Sequence, residues 1–153
     1  PMQLGSGSYE LLPGLSYSGF QESYSYGAQI NSTFRLDNNN NGYKLGDSYN
    51  ATAWAAKKLN ESISISSRLN YTITKKIRGS DDTLVTAMTP MNETSFFAGR
   101  SLDFLLGTNF LVTKGALKGH RLAIEGGVPI YQSFNGVRLE TDYKITLGWQ
   151  KSF

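Results

Sequence analysis

The chain has no cysteine, so it can form neither a disulfide nor a thiolate metal site. It has a single histidine, His120, and metal ligation needs several convergent imidazole, thiolate or carboxylate groups. Only a carboxylate site remains, and the Asp81-Asp82 pair is expected to be solvated loop charge. Charged residues make up 18% and the net charge is +3, too weak a balance for a nucleic-acid footprint. The densest basic group, Lys75, Lys76 and Arg78, reads as a solvated strand end. No apolar run approaches the roughly 18 residues of a membrane helix. The longest, around 104–112, is interrupted by Gly107, Thr108 and Asn109. If this chain crosses a bilayer, it does so with strands. No glycine-rich phosphate loop precedes a helix, so no nucleotide cofactor is expected. The chain opens on Pro1 with no signal-peptide pattern, and is expected to start inside a longer protein or at a processed end.

What is abundant is aromatic and small. There are 9 Tyr, 8 Phe and 16 Gly. The dominant order is a period of two. From Ser23 to Leu36 the even positions carry Tyr24, Tyr26, Ala28, Ile30, Ser32, Phe34 and Leu36, apolar but for Ser32, while the odd ones are polar or glycine. The pattern returns from Ser62 to Thr74, where Ile63, Ile65, Leu69, Tyr71 and Ile73 alternate with Ser, Arg, Asn and Thr. It appears again from Leu139 to Phe153. Such alternation predicts strands with one apolar and one polar face. Weaker strands are expected around 9–17, 102–112 and 122–130, with an Ala-rich one at 47–58 whose facing the pattern leaves open. Seven strands of about 10 to 15 residues exceed the usual soluble length of about 5–6. They fit tilted membrane strands.

The connections support this. Those expected at 19–21 and 59–61 are tight, and those at 37–46 and 79–99 are long. Outer-membrane barrels have short periplasmic turns and longer external loops. With the last strand running towards the periplasm, the long connections fall outside. Asn135-Gly136, a strong hairpin dipeptide, is expected to break that rule as a short external turn.

Tyr143, Ile145, Leu147, Trp149 and Phe153 form one face of the closing strand. The set resembles the signal that the outer-membrane assembly machinery reads, with Lys151 where a hydrophobic residue is usual. Further stretches carry a wider resemblance: Pro1-Met2-Gln3-Leu4-Gly5-Ser6-Gly7, Leu11-Leu12-Pro13-Gly14-Leu15, Ala51-Thr52-Ala53-Trp54, Lys118-Gly119-His120-Arg121-Leu122-Ala123 and Gly148-Trp149-Gln150-Lys151. The chain is similar to a family of outer-membrane transporters related to the phenol-degradation MetA-type barrels. That resemblance implies an outer-membrane location in a Gram-negative bacterium, and further strands upstream.

The expected fold is therefore all-β: an antiparallel membrane β-barrel. About seven strands lie in residues 1–153, a single domain forming the C-terminal part of a larger barrel of roughly 10 to 14 strands. The odd count points the same way, since an unpaired edge in hydrocarbon is not tolerated. Arg35, Arg68, Asp103, Arg121, Glu125, Glu140, Asp142 and Lys144 fall opposite the apolar stripe and are expected to face the lumen. Tyr9, Tyr17, Tyr24, Tyr26, Tyr143, Trp149 and Phe153 are expected in interfacial girdles. His120 lacks a nucleophile and an orienting partner in its motif, so no enzyme, no metal and no cofactor are expected. The expected partners are the lipid bilayer, the assembly machinery and a small solute, hydrophobic by the resemblance. Three functions compete: a passive channel or transporter, a structural or interaction barrel with a plugged lumen, and a soluble β-sandwich or small-ligand barrel.

Overall fold

A computed structural model of the chain describes residues 5–81 and 92–151. It is one antiparallel meander: β1 (Glu10–Leu11), β2 (Gly14–Phe20), β3 (Tyr24–Arg35), β4 (Ser48–Lys58), β5 (Ile63–Thr74), β6 (Gly99–Leu111), β7 (His120–Phe134) and β8 (Lys144–Lys151). Each strand pairs with its neighbours in sequence, and β1 and β2 both pair with β3. These two are one edge strand. The register from Glu10↔Arg35 to Gly14↔Asn31 continues without a shift across the gap at Leu12-Pro13. Pro13 has no N–H, and an edge strand is where that loss is tolerated. Its carbonyl still accepts from Ser32 N at 3.0 Å. The sheet does not close: β8 pairs only with β7 among the described residues.

The registers fix which residues share a face. Ala51, Ala53 and Ala55 lie opposite Ile30, Ala28 and Tyr26, so the apolar face of β3 continues onto β4. Asn50, Thr52 and Trp54 lie opposite Asn31, Gln29 and Gly27 on the polar face. The facing left open by the Ala-rich strand is settled by its partners. A bulge in β7 sets Leu102 opposite Tyr131 and Asp103 opposite Pro129, leaving Ile130 over. Pro129 fits there because a bulge already interrupts the ladder.

The two faces are not equally covered. Leu15 is 76% exposed and Leu147 72%, and Tyr24, Ile30, Leu69, Phe104, Val128 and Ile145 are exposed with them. The only buried hydrophobic residue among those described is Leu105. On the polar face Asp103 is only 1% exposed. Among the described residues the apolar face is not turned into a core. The surface area makes the same point. A folded monomer of 16.9 kDa exposes roughly 7,700 Å² by the usual size scaling, whereas this chain exposes 11095 Å².

Connections at one end of the sheet span 21–23, 59–62 and 112–119. At the other end they span 36–47, 75–98 and 135–143. The last corrects an expectation. The closing strand begins at Lys144 and not at Leu139, and neither Asn135 nor Gly136 has the positive φ of a type I′ turn. Side chains hold the connection in another course. The Gln132 amide donates to Thr141 O (2.9 Å) and accepts from Thr141 N (3.1 Å), occupying the ladder position. A Cβ on Gly136 would meet the Phe96 ring at 2.1 Å, and Arg138 lies over the Phe134 ring. With this longer course, all three connections at that end are longer than the turns directly opposite the first two.

A Cβ built on Gly148 lies 3.6 Å from the Ala123 Cβ, within disulfide range. The cysteine-free chain carrying Ala123→Cys and Gly148→Cys should therefore lose both free thiols on mild oxidation. Ala123→Cys with Thr146→Cys should keep them. Thiol titration checks the register of the last strand.

Candidate functional site

The polar face is organised in rows running across the strands. One row is Gln29, Thr52, Asn70 and Asp103. The next is Gly27, Trp54, Arg68, Leu105, Gly127 and Lys144. A third is Ser25, Ala56, Ser66, Gly107, Glu125 and Thr146.

Two ion pairs each cross an intervening strand. Lys144 on β8 reaches over β7 to Asp103 on β6, with Nζ 2.5 Å from Oδ2. Its own ladder partner is Gly127. A Cβ there would meet Phe104 O at 2.5 Å and Leu105 Cγ at 2.6 Å, so the space is already filled. Arg68 on β5 reaches over β6 to Glu125 on β7 at 3.1 Å. Glu125 lies opposite Gly107, where a Cβ would meet Ser66 Oγ at 2.6 Å. At both glycines the space of a side chain is taken by a neighbour, Leu105 at Gly127 and Ser66 at Gly107.

Asp103 anchors an amide network. Asn70 Nδ2 donates to Asp103 Oδ2 at 3.4 Å, and Asn50 Nδ2 donates to Asn70 Oδ1 at 2.8 Å and to Thr72 Oγ1 at 3.0 Å. Asp103 Oδ1 is buried with no partner, so the Lys144 ammonium carries most of the compensation for this carboxylate. Arg121 donates twice to Asn109 Oδ1, at 3.1 Å from Nε and 2.8 Å from Nη2. Arg35 pairs with Glu10 at 2.5 Å, and its backbone N donates to Asp47 Oδ1 at 3.0 Å.

Six of the eight charges singled out in the sequence thus share the polar face: Arg35, Arg68, Asp103, Arg121, Glu125 and Lys144. Glu140 and Asp142 do not lie in a strand, so no alternation fixes their facing. At the end with the 21–23 and 59–62 turns, a cavity of about 560 Å³ opens among Ser25, Lys58, Ser64, Asn109, Arg121 and Gln150. These belong to strands from β3 to β8, so the sheet curls towards its polar face. Trp54 is the residue the pattern missed. It lies on this face against Gly27, where a Cβ would meet its ring at 2.2 Å. The readable signal was its even position beside Asn50 and Thr52, opposite in phase to the three alanines.

Of the closing-strand set, Ile145, Leu147 and Trp149 lie exposed on the apolar face, Tyr143 immediately precedes β8, and Phe153 lies outside the described residues. His120 stacks on Trp149 with centroids 5.5 Å apart, and Trp149 Nε1 donates to His120 Nδ1 at 3.0 Å. It is a strand residue on the apolar face rather than a turn residue. No group of three potential metal ligands occurs among the described residues; Asp82 lies outside them. No helix among them is long and apolar enough to cross a membrane. No family model matches the chain, and no curated protein matches it.

Two outcomes follow. Lys144→Met should destabilise the fold by roughly 2–3 kcal/mol, because it strands a buried carboxylate. Asp103→Asn added to it should recover most of that loss, read from denaturant midpoints. In a Trp149→Phe background, Gly27→Val should push Trp54 out of its place and shift its fluorescence to the red. Gly14→Val, whose Cβ would make only ordinary contacts with Asn31 and Ile30 at 3.6 and 3.7 Å, should not.

Proposed function

We propose that the chain is part of an outer-membrane β-barrel of a Gram-negative bacterium, forming a polar conduit for passive movement of small solutes. The observation that carries this is the inversion of the sheet: the large aromatic and aliphatic side chains of one face are exposed, while the polar face holds the buried Asp103. Hydrocarbon can cover the first, and a water-filled interior suits the second. The resemblance to MetA-type transporters supports the same reading and suggests hydrophobic solutes. Closure requires strands that pair with β2 and β8, supplied by further chain of the same protein. In this reading the 36–47, 75–98 and 135–143 connections face outward, and the final strand presents Tyr143, Ile145, Leu147, Trp149 and Phe153 to the assembly machinery.

The paired charges suggest weak ion selectivity, since Arg68 with Glu125 and Lys144 with Asp103 cancel on the conduit wall. The second reading, a barrel closed inside and acting through its long connections, draws on the same ion pairs and on Trp54.

The protein should acquire strand circular dichroism in detergent micelles but not in buffer, and should migrate differently on gels before and after boiling. Cooperative folding in buffer would contradict the membrane reading. In planar bilayers it should conduct with little preference between cations and anions, and Glu125→Gln, which frees Arg68, should shift the preference towards anions. Absence of conductance in a folded, inserted protein would favour the closed barrel.

A further inference from the structure

A second cavity of about 560 Å³ lies at the end of the sheet with the long connections, and four cations line it: Lys75, Lys76, Arg78 and Arg100. Among the described residues no carboxylate lines it. Among the described residues the ion pairs reach only Lys75 of the four, at 3.9 Å from Asp47. All four side chains belong to exposed residues. The position of the cluster distinguishes it from ordinary solvated charge. Arg100 is the ladder partner of Ile73, and Ile73 is the partner of Tyr49, so Arg100 belongs to the apolar face and not to the polar one. Lys75 Nζ is held there at 3.0 Å from the Tyr49 hydroxyl and 5.0 Å from its ring centroid. In the neighbouring row along the strands lie Tyr71 and its partner Leu102.

We infer that this cluster binds the phosphate groups of a phosphorylated lipid headgroup in the leaflet that the long connections enter. The inference rests on the membrane reading and adds a ligand to it. Of the four cations only Lys75 has a carboxylate partner among the described residues, so the cluster would otherwise leave like charges together at the border of a lipid-covered face. Phosphate oxygens accept from guanidinium and ammonium donors in charge-assisted bonds. Basic sites at the membrane boundary take anionic headgroups in this way. The adjoining Tyr71 and Leu102 favour a lipid over a free anion, because the acyl chains of the same molecule can lie along them.

The test compares the whole protein with the variant Lys76→Ser/Arg78→Ser/Arg100→Ser and with the charge-matched control Lys57→Ser/Lys114→Ser/Lys118→Ser. Each is folded in micelles of neutral detergent, and its thermal midpoint is read with added lipid A, with lipid A stripped of its phosphates, and with inorganic phosphate. Lipid A should raise the midpoint of the parent and the control by several degrees and leave the cluster variant unmoved. The stripped lipid and inorganic phosphate should raise none of the three. An equal rise in the cluster variant, an equal rise with stripped lipid, a full rise with inorganic phosphate, or no rise in a parent that has folded in micelles would each overturn the inference while leaving the barrel reading intact. A parent that folds in buffer and does not enter micelles would overturn both.

Discussion

A single layer of sheet satisfies its backbone sideways, strand to strand, and leaves its two faces to find their own environments. Everything else in this chain follows from how it resolves that constraint. The ladders from β2 to β8 pair the inner N–H and C=O groups, so the remaining choice is which face is covered. The sheet curls to cover Asp103, Asn70 and Glu125 and leaves Leu15, Leu69 and Leu147 outside. In water this arrangement forfeits the burial of apolar area that drives folding, at roughly 25 cal/mol per Å². In the proposed membrane barrel the solvent on the convex side is itself apolar, and that loss does not arise.

Turning a polar face inward carries its own demand, since buried charge must be paired. The chain meets it with pairs that span two strands, Arg68 with Glu125 and Lys144 with Asp103. Both cross a strand at or beside a glycine, Gly107 and Gly127, where a Cβ would meet Ser66 or Phe104 and Leu105 closer than 3 Å. The same pairs therefore tie β8 to β6 and β7 to β5. The electrostatics of the polar face and the integrity of the sheet at its closing end are one set of contacts.

Much of this was legible in the residue order. Where a strand alternates strongly, as in β3 and β5, the period of two fixes both the element and its facing. It failed in three places for identifiable reasons. In β4 alanine is neither clearly apolar nor polar, so the facing is set only by partners such as Ile30 and Tyr71. In β7 the Ile130 bulge changes the phase, which puts Gln132 on the side of Glu125 despite opposite parity. Before β8 the Asn135-Gly136 dipeptide favours a tight turn locally, but Gln132 and Phe96 hold a longer path, so Glu140 and Asp142 leave the strand. All three are tertiary effects that a local pattern does not contain. The ion pairs across two strands were invisible for the same reason, although their members were recognised as polar-face charges.

In the proposed barrel the exposed apolar face lies against hydrocarbon. This is tested most directly by placing a single tryptophan, in a background with Trp54 and Trp149 replaced by Phe, at Leu69 on one face or Asn70 on the other. The protein is then inserted into vesicles of brominated phospholipid. A barrel in the bilayer gives strong quenching at position 69 and little at position 70. Equal quenching at both positions, or quenching at neither, would contradict it.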